Sequence, residues 1–313
     1  MEQPEDNEVT AGERVLDEAE AALRAHPRVH WSRGALGPSE PGRVVSLVPS
    51  LSEAFHVLGL GERLVGVTDY CVHPAGAFTD LARVGGTKDA DVDAIARLAP
   101  DLVVANQEEN TARVVRQLAD RGLDVWVTYP RTVREGAELL DALSTLGASE
   151  QARRSFVVPC LEAVERAERA ATARIGPRPR VFCPIWRDPW MSIAEGTYIH
   201  DLIELCGGRN LCAGAELGQG DRRYPLVDLD EVLAQEPDVI LLPDEPYRFD
   251  ESDAARFERA GAAASRHGRV HLIDGSLVSW YGPRIAKAIQ VLADLLAAPG
   301  VARSADASGA GEE

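Results

Sequence analysis

Basic charge is scarce in this 313-residue sequence: Lys and Arg total 33 against 50 Asp and Glu, a formal net charge of −17. Such a chain repels phosphate, which argues against nucleic acid or an anionic membrane as partner. No apolar run approaches the ~20 residues needed to span a bilayer, so no membrane insertion is expected. The opening "MEQPEDNEVTAGERVLDEAEAALRAHP" has no basic n-region, apolar h-region or lipobox-like cysteine. The expected location is therefore the cytoplasm. Five cysteines (71, 160, 183, 206 and 212) form no CxxC pair and are odd in number, which fits a reducing compartment better than a disulfide framework. Nucleophile elbow, P-loop, GxGxxG and HExxH are all missing, so no catalytic residue is assigned.

What is present is an α/β pattern in a chain long enough for two lobes. Short β-branched runs at Val44–Val48, Leu64–Val67, Leu102–Ala105, Val125–Thr128, Val181–Pro184, Val239–Leu242 and Val270–Ile273 alternate with helix-length segments. Runs of this kind predict parallel sheets buried on both faces. Residues 11–25 have the spacing of an amphipathic helix. Residues 34–42 read as a loop, and residues 1–10 and the tail as disordered.

An internal repeat organises the rest. "DVDAIARLAPDLVVAN" from residue 91 matches "DLDEVLAQEPDVILLP" from residue 228, and "RVVSL" from 43 matches "RVFCP" from 180, both at an offset of 137. Between them "LGLGERLVG" (58–66) answers "CGGRNLCAG" (206–214) at 148, so the second half gains 11 residues early and loses them before 228. The gained material lies in "IWRDPWMSIAEG". The expected organisation is an acidic N-terminal segment (1–42), an α/β lobe (43–147), a bridging helix (148–176), a second α/β lobe (177–300) and a tail (301–313). Pro159 inside the bridge should kink or split it.

In open parallel sheets, ligands bind beyond the C-terminal strand ends, so the segments that follow each strand are the candidate site. They place Tyr70, Tyr129, Trp186, Trp190, Tyr247, Trp280 and Tyr281 as aromatic walls of an inter-lobe cleft. Arg131, Arg187 and Arg284 offer rigid donor forks for a ligand carboxylate or phosphate, with Asp188 beside them. Cys71, His73 and Glu108 are the candidate metal ligands. Simpler roles compete at the same positions. Ser50 with Glu53 has the spacing of a helix capping box, Glu108 and Glu109 suit a helix N-terminus, and Cys71 and His73 suit a hydrogen-bonded loop. The run "CPIWRDPWM" reads as cleft wall, because its counterpart in the first half, "SLVPSLSE", lacks the extra residues.

The motifs "RVVSLVPSLSEAFHVLGLGERLVGVTDYCVHP", "VGGTKDADVDAIARLAPDLVVA", "YIHDLIELCGGRN" and "SWYGPR" resemble the helical-backbone (class III) substrate-binding proteins, most of all their cobalamin-binding branch, over residues 43–296. Members serve ABC importers of cobalamin, haem, siderophores and metal ions. The resemblance implies two similar α/β lobes, mainly parallel, bridged by a long helix, with the ligand between them. It implies a cobalamin-like corrinoid, haem or a chelated transition metal as ligand. By the same resemblance Tyr70 stacks on the corrin, while Asp93 and Asp230 dock onto arginines of a permease or other acceptor protein. The family's corrin-packing tryptophans stand here as Thr87 and Asn106. Two alternatives stay open: a metal-dependent enzyme using Glu108, Arg131 and Asp188, and an importer receptor whose signal peptide is missing from this sequence.

Overall fold

A computed structural model describes residues 21–32, 41–214, 217 and 223–297. The N-terminal segment expected to be disordered, the tail and most of the loop at 34–42 lie outside the described residues. So does the helix expected over 11–25 up to residue 20; residues 21–24 are helical.

Internal contacts divide the chain into two units. Unit 1 comprises the chain to Pro130, Arg134–Cys160 and Tyr281–Pro283; unit 2 comprises Arg131–Val133, Leu161–Trp280 and the chain from Arg284. Through unit 1 the elements run β1 (Val29–Ser32), β2 (Val44–Ser46), α1 (Pro49–Val57), β3 (Leu64–Val67), β4 (Ala82–Arg83), α2 (Val92–Arg97), β5 (Leu102–Asn106), α3 (Ala112–Asp120), β6 (Val125–Thr128) and α4 (Val133–Ser144). Its sheet is all parallel, in the order β1-β6-β5-β2-β3-β4. All five residues of β5 are buried, as a parallel strand covered by helices on both faces requires.

Strand β1 was not foreseen. Its four residues, "VHWS", are too short to show a period, yet they pair in register with β6, Val29 opposite Val125 and Ser32 opposite Thr128. The expected capping box on α1 is not formed. Val48 holds the N-cap position with Pro49 at the first helical turn, where fixed φ favours proline. Ser50 therefore sits inside the helix.

Residues 150–173 are helical throughout, as α5 (Glu150–Ala152), a π-turn (Arg153–Val157) and α6 (Val158–Ala173). Pro159 does not break the segment. It has no N–H to donate and its ring crowds the preceding turn, and the wider π-turn just before it relieves both.

Unit 2 continues with β7 (Arg180–Phe182), β8 (Pro184–Trp186), β9 (Met191–Ser192), α7 (Tyr198–Leu205), β10 (Arg209–Asn210), α8 (Leu229–Ala234), β11 (Val239–Pro243), α9 (Glu251–Arg259), α10 (Ala263–Arg266), β12 (Val270–Ile273), α11 (Ser276–Ser279) and α12 (Ile285–Ala297). Its main sheet is parallel, ordered β10-β7-β11-β12, while β8 and β9 form an antiparallel pair. The order β3-β2-β5-β6 in unit 1 thus answers β10-β7-β11-β12 in unit 2.

The repeat is reproduced at one corner by the same Asp and Arg, with some of the bonds exchanged. Asp101 accepts from the backbone N–H groups of Gly42 and Arg43 (2.9 and 2.8 Å), while Arg43 donates to the carbonyls of Leu98 and Ala99 (2.6 and 3.2 Å). In unit 2, Asp238 accepts from the backbone and side chain of Arg180, which donates to the carbonyl of Gln235 (2.6 Å). The left-handed residues Ala99 (φ 46°) and Glu236 (φ 48°) occupy the same place in each unit.

Candidate ligand-binding loops

In unit 1 the turns that leave β2, β3, β5 and β6 are held by buried polar groups. Asn110 accepts from Asn106 N–H (2.7 Å) and donates to the carbonyls of Leu47 (3.2 Å) and Thr87 (2.8 Å). Asn106 accepts from the N–H groups of Glu108 and Glu109 (2.7 and 3.2 Å) and donates to Thr128 O (3.0 Å). These two asparagines close the "NQEEN" turn and tie three strand ends together. Satisfied buried amides of this kind rigidify a loop.

Around Tyr70 the turn after β3 is carried by Arg83, which donates to the carbonyls of Thr68 (2.8 Å), Cys71 (3.1 Å) and Phe78 (3.2 Å). Tyr70 itself stands out, 62% exposed. Cys71 turns inward, 1% exposed, with its thiol 3.1 Å from Ser52 Oγ and 3.2 Å from Thr68 Oγ1. Burial pushes that thiol up, against the hydrogen bonds from Ser52 and Thr68. Cys71 is thus buried while His73 lies on the surface. Glu108 gives its carbonyl to Lys88 Nζ. Among the described residues no three His, Cys, Asp or Glu side chains gather as a metal site. The structure therefore does not bring Cys71, His73 and Glu108 together.

Tyr129 and Arg131, directly beyond β6, are half-buried. Tyr281, assigned to unit 1, is 6% exposed. Burial, and then the carboxylates of Glu109 and Glu108, raise its phenol well above 10.

In unit 2 the stretch "CPIWRDPWM" is a hairpin. Trp186 on β8 pairs with Met191 on β9, and Asp188 in the turn takes φ 63°, a left-handed conformation that Asp tolerates better than most residues. A continuous aromatic path runs inward from its tip. Trp186, 45% exposed, meets Tyr247 edge-on at 5.5 Å, and Tyr247 lies 4.7 Å from Phe249. Phe249 stacks on Trp190 at 5.9 Å and 10°, and Trp190 packs against Phe257 at 5.7 Å.

Trp190, read from the sequence as wall, is thus core at 7% exposure. Its half of the hairpin packs; the Trp186 half faces out. Arg187 is also committed. It pairs with Asp253, which is 2% exposed and caps α9 together with Asp250, and lies 3.3 Å from Asp188 and over the Tyr247 ring. Nothing in the sequence marks Asp253 except the capping spacing Asp250–Asp253, which sequence reading passed over.

The turns after β11 and β12 interlock. Asp244 accepts from Gly275 N–H (2.7 Å), and Ser279 donates to Glu245 (3.1 Å). A Cβ on Gly275 would stand 2.4 Å from Glu245 Cγ and 2.7 Å from its backbone N, so only glycine permits this approach. Burial raises the Glu245 carboxyl above its ordinary 4.5, with Asp244 and Asp274 adding to the effect. Arg284 binds Ser276 and Asp274 and lies 4.7 Å over Trp280, which is 9% exposed. Of the seven aromatic residues read as walls, Tyr70 and Trp186 present large exposed faces.

Asp93 and Asp230 lie at matching places, the first turns of α2 and α8, behind the caps Asp91 and Asp228. Both are exposed; Asp93 pairs with Arg121 at 2.6 Å.

A family model for periplasmic binding proteins matches residues 44–298. The chain belongs to that family. The vitamin B12-binding protein of Vibrio cholerae serotype O1 is 28% identical over 205 residues, spanning 65% of this chain and 71% of that protein. The crystal structure of the periplasmic vitamin B12 binding protein BtuF of Vibrio cholerae matches with a TM-score of 0.69 at 25% identity, covering 83% of this chain and 98% of the other. The periplasmic heme-binding protein BhuT, solved with two hemes, matches at 0.66 and 25%, covering 82% and 99%. Two α/β units with parallel sheets are what those matches and the motifs share. Among the described residues no helix is long and apolar enough to cross a membrane.

Proposed function

We propose that the protein binds a corrinoid or another tetrapyrrole, with or without its chelated metal, on the loops beyond the C-terminal strand ends of its two units. The likeness to the vitamin B12-binding protein of Vibrio cholerae carries this reading. The exposed faces of Tyr70, in the turn after β3, and of Trp186, on the hairpin after β7, support it. Aromatic faces of this kind stack on a planar macrocycle. Tyr129, Arg131, Tyr247, Trp280, Tyr281 and Arg284 would form the walls behind them. Asp93 and Asp230 are proposed as contacts for a basic partner protein such as a permease, one on each unit.

We place the protein in the cytoplasm, a reading supported by five cysteines that are all free and buried. The two solved proteins named above are periplasmic, so cell fractionation with an antibody decides the compartment. The ligand reading is tested by titrating the purified protein with cyanocobalamin and with haem while following tryptophan fluorescence and the visible bands. Saturable one-to-one binding of either supports it. Absence of binding by both would refute it.

A further inference from the structure

The charges around these loops restrict the ligand further. In unit 1 the turns after β3 and β4 expose Asp69 and Asp89, and Glu109 follows β5. In unit 2 the hairpin and the turns after β11 and β12 expose Asp188, Asp244 and Asp274. The cations on the same loops are mostly engaged. Lys88 bonds the Glu108 carbonyl, Arg187 holds Asp253 and Asp188, and Arg284 holds Ser276 and Asp274. Arg131 also has a partner within the protein. Lys88 and Arg248, both exposed, have no carboxylate partner among the described residues.

We infer that the ligand is a macrocycle with a neutral or cationic, amide-edged periphery, and that the site rejects the same ring edged with free carboxylates; this rests on the tetrapyrrole reading. A carboxylate approaching Arg187 or Arg284 meets a guanidinium whose charge is already matched by Asp253 and Asp188, or by Asp274. At Arg187 one of these partners, Asp253, is 2% exposed and cannot turn to water to make room. Leaving such a charge unpaired is strongly unfavourable. Side-chain amides on the ligand meet no such obstacle. Their N–H groups donate to Asp188, Asp244 or Asp274 in charge-assisted hydrogen bonds, and any positive charge on the ring gains from the face of Trp186 in the same unit. The chain's net charge of −17 adds long-range repulsion of polyanions.

The test compares two corrinoids with one ring and two peripheries: dicyanocobinamide, edged with amides, and dicyanocobyrinate, edged with carboxylates. Each is titrated against the full chain by fluorescence quenching, at low and at high salt. The amide form is expected to bind about a hundredfold tighter or more at low salt, since juxtaposed like charges suppress the wrong partner. Added salt narrows that gap through screening, as does the triple change Asp188→Asn, Asp244→Asn and Asp274→Asn. Equal affinities, a preference for the carboxylate form, or binding of haem without either corrinoid overturns the inference and leaves the tetrapyrrole reading standing. Failure of both corrinoids and haem to bind removes the reading itself and the inference with it.

Discussion

The first strand of the repeat in unit 1 and its partner in unit 2 are held by the same device. An Asp at the start of a neighbouring strand, Asp101 or Asp238, accepts from the strand's opening N–H, and an Arg, Arg43 or Arg180, reaches back to the end of a short helix. Beyond those strands the units diverge. β2 of unit 1 leads directly into α1, whereas β7 of unit 2 gives way to the β8–β9 hairpin before its helix begins. The comparison separates frame from function: the end of the sheet that carries the strand starts is duplicated, and the end that carries the loops is individual. Parallel α/β architecture permits this, because loops beyond the strand ends change without disturbing the strands.

The largest expected effect is confined to the individual part. Arg187→Ala leaves Asp253 buried without its partner, so unfolding free energy from urea denaturation should fall by about 3 kcal/mol. A loss under about 1 kcal/mol would show that the hairpin is not anchored by this pair. The duplicated part makes a different demand. Asp101→Ala and Asp238→Ala should each cost about 1 kcal/mol, and by similar amounts, since both remove accepted backbone hydrogen bonds at sites open to solvent. Unequal costs would break the equivalence of the two clamps.

Acid dependence sharpens the contrast within unit 2. Partial burial raises Asp238, but its hydrogen bonds and charge contact with Arg180 outweigh this and hold it below 3.8. Its stabilisation is present above that value and is lost as pH falls through the lowered pKa. Glu245 has the opposite sign: raised by burial, it binds its proton more tightly when folded, so stability declines as pH climbs above 4.5. Glu245→Gln should flatten that decline in a series of thermal melts, and an unchanged profile would contradict the assignment. Cys183 and Cys206, pushed up to about 12 by burial, should resist iodoacetamide near neutral pH until the protein unfolds. The smallest stability effects are expected at the surface, where Asp93→Ala and Asp230→Ala should each stay within about 0.5 kcal/mol.

Much of the frame was legible because it repeats. The offset of 137 paired Arg43 with Arg180 and "DLVVAN" with "DVILLP", and buried apolar runs located seven strands. Strands without an apolar run, such as β1 ("VHWS") and the two-residue β4, were not visible. The site was legible in its placement but not in its orientation. Alternation along a two-residue turn cannot say which of Trp186 and Trp190 faces out; the packing of Phe249 and Phe257 decides it. Nor does an isolated Arg show that a distant Asp253 already holds it. The tightly paired groups, Arg187 with Asp253 and Asn106 with Asn110, are tertiary contacts that no local pattern encodes.

Titration of the native chain and of Trp186→Ala with cyanocobalamin, followed by isothermal calorimetry, tests the central claim most directly. The account predicts saturable one-to-one binding by the native chain, weakened about tenfold or more when the exposed ring is removed while urea stability changes little. Binding of equal strength by both proteins would contradict it, because the face of Trp186 would then not be the surface that meets the ligand.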